Sequence, residues 1–242
     1  MSPIFKFLRK NRRMRPFCTA VVPAAGRSTR MDGQDKMLLM LDGEPVLLRT
    51  LRTLENCRLI DEIVVATRED LILPVSQLCR EAGLEKVSHV AVGGSSRAES
   101  VLRGIMEADP QAELIAIHDG ARPFASQELL EEVIREAGSC GAAAPAVPLV
   151  DTIKRAEKGV VTGTVAREGL FAVQTPQVFE ASLIKAALQR GLEEGVQLTD
   201  DCSAVERLGM KVRLTAGERT NLKITTPEDI VLGLGILSQE GE

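Results

Sequence analysis

The sequence predicts an α/β fold: a mostly parallel sheet with helices on both faces and a protruding β-hairpin arm. Three observations carry that expectation. Short runs of β-branched and small apolar residues alternate with stretches of helical spacing over residues 18–149, the pattern of successive βαβ units. The chain has 242 residues, of which 44% are hydrophobic, enough for one full core. The alternation breaks once, over residues 151–168, where "DTIKRAEKGVVTGTVARE" is polar, charged and β-branched.

Residues 18–22 form the first predicted strand. Over 45–56, Val46, Leu47, Leu51 and Leu54 share one helical face. "DEIVVAT" (61–67) reads as a strand and "VSQLCREAG" (75–83) as a helix closed by Gly83. "VSHVAVGG" (87–94) is a strand, and 97–108 a helix. "ELIAIHDGARPF" (113–124) is a strand running into a loop, followed by an acidic amphipathic helix at 127–137. "AAAPAVPL" (142–149) is a strand whose prolines place it near a sheet edge. The arm follows at about 151–168, with a turn at Lys158-Gly159. An isolated hairpin is marginal in water, so the arm needs a partner, either its own domain or a second copy of the chain. Helical spacing resumes at 181–192 and 201–208, "KVRLTAGE" (211–218) is a strand, and "TPEDIVLGLGIL" (226–237) is a last helix. Thr226 is its expected N-cap and Pro227 its first residue. Without repeats or a linker, 17–242 reads as one Rossmann-like domain carrying the arm, preceded by a basic leader over 1–16.

Composition excludes several classes. Aromatic residues are 2% of the chain, with no Trp or Tyr, which argues against stacking platforms for single-stranded nucleic acid. The net charge of -4 sets up no global field toward DNA or an anionic membrane. No apolar run approaches the ~18 residues of a membrane span. The leader, "FKFLRKNRRMRP", lacks the apolar core of a secretory signal. It reads as a solvated tail, with a nucleic-acid or lipid contact as the minority reading. Five widely spaced cysteines form no CxxC. They fit buried free thiols in a reducing, cytoplasmic setting.

Open parallel sheets bind ligands outside the carboxyl ends of their strands. Four informative stretches fall there: "PAAGRSTR", "GGSSRAES", "HDGARP" and "NLKITTPED". In the first, Ala24, Ala25 and Gly26 let a ligand approach the backbone, whose N–H groups can face an anion. Arg27, Arg30 and Lys36 are concentrated enough for a polyphosphate. The pattern is neither a Walker A loop nor GxGxxG, and a tight turn with solvated charges is the competing reading. In the second, Gly93 and Gly94 offer close backbone approach, and Ser95 or Ser96 can cap the next helix. A plain Gly-rich turn competes. In the third, Asp119 at a strand end can hold a sugar hydroxyl or a hydrated cation, or simply cap a loop. His118 reads as a satisfied core histidine rather than a base. Lys223, in a strand-to-helix turn, is by default solvated.

Together with "DKMLL", "PLVDTIKR", "GTVAREGLFAVQTPQVF" and "LTDDCSAVE", these stretches resemble the 2-C-methyl-D-erythritol 4-phosphate cytidylyltransferase family over about residues 18–237. The resemblance implies cytidylyl transfer from CTP to the polyol phosphate, giving 4-diphosphocytidyl-2-C-methyl-D-erythritol and pyrophosphate. By the same resemblance, Arg30 and Lys36 stabilise the transition state, aided by Arg167 and Lys223. Ala24, Ala25, Gly26, Gly94, Ser95, Ser100, Asp119 and Gly120 surround the nucleotide. Asp119, Arg122, Thr152, Arg167, Thr175 and Lys223 contact the polyol phosphate, with Thr152 and Arg167 delivered on the arm by the partner of a homodimer. Mg²⁺ arrives with CTP, and the protein supplies no metal cage. Cytosine is expected to be read by backbone groups near Ala24 and Gly94. The sequence departs from the family's usual pattern at several places. Ser28 replaces a glycine, Ser95 an acid, Gly120 an alanine and Ala166 an acid, and Asp35-Lys36-Met37 stands for Pro-Lys-Gln. None of these removes a charged catalytic position. A ribitol-5-phosphate cytidylyltransferase and a silent nucleotide-binding protein on the same scaffold are the alternatives.

Overall fold

Cys18 to Pro23 form a strand buried along its whole length, which requires cover on both faces of the sheet it joins. The computed structural model supplies that cover, and describes residues 15–26 and 37–240. In chain order the elements are β1 (Cys18–Pro23), β2 (Met40–Leu41), β3 (Glu44–Pro45), α1 (Val46–Glu55), β4 (Glu62–Thr67), α2 (Ile72–Glu81) and β5 (Val87–Val92). Then come α3 (Arg97–Met106), β6 (Leu114–Ile117), α4 (Gln127–Cys140), β7 (Ala142–Pro148), β8 (Ile153–Glu157) and β9 (Val160–Val165). The chain closes with β10 (Phe171–Val173), β11 (Gln177–Glu180), α5 (Ala181–Glu193), α6 (Asp201–Arg207), β12 (Arg213–Ala216) and α7 (Pro227–Glu240).

The main sheet has eight strands. β5, β4, β1 and β6 are parallel neighbours in that order. β11 runs antiparallel between β6 and β7. β10 continues along the same side of β7, and β12 pairs parallel along the other. One face packs Cys18, Ala20 and Val22 of β1 against α1, α2 and α4. The other packs Val21 against α3, α5 and α6. The alternation of side chains along a strand thus splits the core into two layers.

The βαβ series stands as predicted, and the differences have local causes. β7 is paired on both sides rather than lying at the edge. Pro145 is tolerated because it faces the break between β10 and β11, where its carbonyl accepts the Gln174 N–H at 2.8 Å and no ladder donor is required. α4 runs past residue 137 to Cys140 and stops at Gly141, whose φ of +86° suits only a residue without a side chain. Its last residue, Cys140, is exposed, so the expectation of buried thiols holds for the other four cysteines. α2 begins at Ile72 rather than 75, with Pro74 in its first turn, where a missing N–H costs nothing. β10 and β11 are too short for a periodicity to register. Arg15, at the end of the predicted leader, pairs with Asp61 at 2.8 Å; residues 1–14 lie outside the described residues.

The arm is a separate two-stranded sheet. Among the described residues, β8 and β9 pair only with each other. Lys158 and Gly159 both have positive φ, 48° and 81°, the geometry of a two-residue hairpin turn that matches strand twist. Val160 and Val161 are exposed.

Candidate active site

β1, β4, β5 and β6 all end at one cleft of about 740 Å³. Ala25 and Gly26 extend β1, Arg68 to Asp70 follow β4, Gly93 to Arg97 follow β5, and Asp119 to Ala121 follow β6. Lys223 closes the rim. The parallel topology brings together residues nearly 200 positions apart.

Asp119 is the centre of this cleft. Its side chain is 10% exposed, with Lys223 Nζ at 2.6 Å from Oδ2 and Arg97 Nε at 3.2 Å from Oδ1. Arg122 Nε lies at 3.9 Å. Burial pushes the carboxyl's pKa up, but Arg97, then Lys223 and Arg122, outweigh it and hold it well below the usual carboxylate range. Arg97 also reaches the buried Asp201, Nη2 to Oδ2 at 2.8 Å. Within this cluster three cations face two carboxylates.

Hydrogen bonds hold the Asp119 backbone. Its N–H donates to Thr175 Oγ1 at 3.1 Å. That hydroxyl lies 3.2 Å from His118 Nδ1, and His118 Nε2 lies 3.0 Å from the Arg122 carbonyl. The Arg122 carbonyl can only accept, so Nε2 carries the proton, and in the neutral ring Nδ1 then accepts the Thr175 hydroxyl. Both ring nitrogens are then satisfied with the imidazole neutral. Burial lowers the His118 pKa to about 4, as for a core histidine rather than a base.

Lys223 is positioned by its neighbours. Arg122 Nη1 donates to the Asn221 carbonyl at 2.6 Å, and Ile224 N–H to the Ala121 carbonyl at 2.8 Å. Asn221, 1% exposed, donates through Nδ2 to the Thr175 carbonyl at 2.9 Å. The "HDGARP", "TPQ" and "NLKITTPED" stretches are therefore one hydrogen-bonded unit.

The glycine-rich loop differs from expectation in its use of backbone. Gly94 N–H donates to Ser100 Oγ at 3.0 Å, and Ser95 N–H to Glu99 Oε2 at 2.7 Å. Ser96, not Ser95, is the N-cap of α3, accepting from Glu99 N–H. A Cβ at Gly93 would meet Ala25 Cβ at 2.6 Å, and one at Gly94 would meet the Glu99 side chain at 2.3 Å. Both glycines are required by the protein's own packing. Ala24 likewise gives its N–H to the Ala66 carbonyl at 2.7 Å and is fully buried, so that N–H does not face an anion.

Of the sequence-predicted residues, Ala25, Gly26, Gly94, Ser95, Ser100, Asp119, Gly120 and Lys223 line the cleft. Thr175 and Arg122 lie behind Asp119. Thr152 and Arg167 do not line their own chain's cleft; both are exposed at the arm, where Arg167 Nη1 donates to the Val150 carbonyl. Arg27, Arg30 and Lys36 fall outside the described residues. Sequence reasoning passed over Arg97, Arg68 and Asp201. Arg97 carried a signal: it is the first residue of α3, where the helix dipole disfavours a cation, so an arginine there calls for carboxylate partners.

Sequence and fold both match known proteins. The sequence profile described as "IspD: 2-C-methyl-D-erythritol 4-phosphate cytidylyltransferase" covers residues 18–239. The chain belongs to that family. Among its curated members, one from Caldanaerobacter subterraneus subsp. tengcongensis is 43% identical over 221 residues, 88% of this chain and 96% of the relative. One from Geotalea uraniireducens is 42% identical over 227 residues, 90% and 96% of the two chains. Among solved structures, the 4-diphosphocytidyl-2C-methyl-D-erythritol synthase of Anaerococcus prevotii superposes with a TM-score of 0.82 at 33% identity, covering 92% of this chain and 96% of that one. The 2-C-methyl-D-erythritol 4-phosphate cytidylyltransferase of Thermus thermophilus gives 0.76 at 31%, covering 90% and 98%.

Proposed function

We propose that the protein transfers the cytidylyl group of CTP to 2-C-methyl-D-erythritol 4-phosphate, releasing pyrophosphate. The observation that carries this is the Asp119 cluster at the strand ends: an ionised acid for hydroxyl groups beside lysine and arginine for phosphates, in a chain of the cytidylyltransferase family. The polyol phosphate's own oxygen attacks the α-phosphorus of CTP. That oxygen is already anionic near neutral pH, so the reaction needs no strong base, in keeping with a neutral, buried His118. Catalysis rests on positioning and on neutralising developing charge. Arg30 and Lys36 serve the α-phosphate and the leaving pyrophosphate, and Lys223 serves the acceptor phosphate.

Mg²⁺ belongs with the substrate in this reading. Among the described residues no three metal-ligating side chains converge, and both Asp119 oxygens already face cations. Triphosphate oxygens and water are the fitting ligands. The arm's exposed valines, with exposed Phe171 and Val173 at its base, support a homodimer in which Thr152 and Arg167 enter the partner's cleft. A cytoplasmic site of action is supported by the five free thiols. No described helix is long and apolar enough to cross a membrane.

Pyrophosphate release tests the reading. CTP with methylerythritol phosphate should turn over, while ribitol 5-phosphate should not. Equal turnover of the two acceptors would refute the acceptor assignment, and no release with either would refute the transferase. UTP should be used poorly, because a base mismatch leaves polar groups unpaired at ~1–3 kcal/mol.

A further inference from the structure

We propose that Asp201 is a positioning residue for this site. Through the Arg97 guanidinium it fixes the orientation of the Asp119 carboxylate, and with it the recognition of substrate hydroxyl groups. The proposal deepens the cytidylyl-transfer reading and rests on it.

Asp201 is the first residue of α6, is 1% exposed and does not line the cleft. The helix does not need its carboxylate. Asp200 already caps α6, accepting Ser203 N–H at 2.9 Å, with Ser203 Oγ answering in a capping box. Gln177 Oε1 accepts the N–H groups of Asp201 and Cys202, each at 3.0 Å. Gln177 Nε2 holds Asp200 Oδ2 at 2.9 Å. The start of α6 is thus fully satisfied and tied to β11 without the Asp201 side chain.

A buried carboxylate with no local duty is costly unless it is paired. Burial raises the pKa of Asp201 and Arg97 opposes that rise. Neither oxygen has a well-directed hydrogen bond among the described residues; the charge contact at 2.8 Å to Arg97 Nη2 is what compensates it. Arg97 in turn touches Asp119 through Nε at 3.2 Å. A planar guanidinium held at two separate points has a fixed plane. So pinned, Arg97 offers Asp119 one edge, and Oδ2 stays with Lys223. Without the Asp201 charge, Arg97 is free to turn and grip both Asp119 oxygens as a fork. It then competes with Lys223 and with an incoming hydroxyl.

The test is steady-state kinetics on the full chain with CTP and methylerythritol phosphate, for wild type, Asp201→Asn and Arg97→Lys, alongside thermal melts. A contact to a hydroxyl that takes no part in the reaction is uniform binding, and its loss raises KM with kcat unchanged. The acceptor KM should therefore rise about tenfold in both variants, with kcat within about threefold. A purely structural role would instead lower the melting temperature and kcat and leave KM alone; that pattern overturns the proposal. Should Asp201→Asn fail to fold, Arg97→Lys carries the same test, since lysine keeps the charge but cannot bridge both carboxylates. In an Asp119→Asn background, adding Asp201→Asn should change KM no further; a second full rise would overturn action through Asp119. Wild-type turnover with unchanged KM in the variants sinks the positioning role alone. A wild type that turns over neither substrate pair sinks the transferase reading and this proposal with it.

Discussion

The cleft and the arm hold their polar side chains by opposite means. Around Asp119, groups are buried and locked: Thr175, His118 and Asn221 are each under 5% exposed and joined in one hydrogen-bond network. On the arm, Thr152 and Arg167 are exposed, and among the described residues β8 and β9 pair only with each other. A rigid sheet can preorganise charge at no cost in ordering during the reaction. A two-stranded hairpin cannot, so residues placed there need a second surface to order them. In the proposed homodimer, the difference is between what one chain builds alone and what it lends to the other.

The largest expected effect tests that separation. Arg30→Ala and Arg167→Ala should each be nearly inactive as homodimers. Co-refolded in equal amounts, about half the dimers are mixed, and each mixed dimer has one site with both arginines. About a quarter of wild-type activity should return. A mixture as inactive as its parents, with mixed dimers confirmed by native mass spectrometry, would leave the arm as a clasp only. Away from the arm, Lys36→Ala should lower kcat by about 10²–10³, the loss expected for one donor to developing charge; an unchanged kcat would remove Lys36 from that role.

His118 sharpens the cleft side through pH. Its folded pKa, about 4, is depressed below an unfolded value of ~6.5. The unfolded state therefore takes up the proton first as pH falls. Stability is full above pH ~6.5 and falls by ~3 kcal/mol on the way to pH ~4. Urea melts at stepped pH should show that slope, and His118→Asn should flatten it. Asp119 acts in a separate window, losing its contribution only as pH falls below the unfolded value of ~3.9.

Gly104 tests the packing under the cleft. A Cβ there would meet Val21 Cγ1 at 2.6 Å. Gly104→Ala should destabilise by ~1–3 kcal/mol, read by denaturant midpoint. The smallest effect belongs to the arm's turn. Lys158 has a φ of 48°, which asparagine tolerates better. Lys158→Asn should raise dimer stability by less than ~1 kcal/mol and leave the denaturant midpoint of the domain unchanged. A shift of the kind expected for Gly104→Ala would contradict the arm's independence.

Much of this was legible in the sequence, because the informative features are local. The βαβ series shows in apolar periodicity, which depends only on neighbours along the chain. Lys158-Gly159 and Thr226-Pro227 announce a turn and a helix start through their own backbone preferences. Asp119, Gly94 and Lys223 stand out because they sit at strand ends, and a parallel sheet gathers strand ends at one place. What only the tertiary structure decided involves pairing between distant segments. It placed β11 between β6 and β7, and so gave Pro145 a break to face. It engaged the N–H groups of Ala24 and Gly94 within the protein. It also joined Arg97 of α3 to Asp201 of α6. Periodicity carries no information about which charge meets which across a hundred residues; that is set by how the layers pack, and the cost of burying a charge then requires the partner to be there.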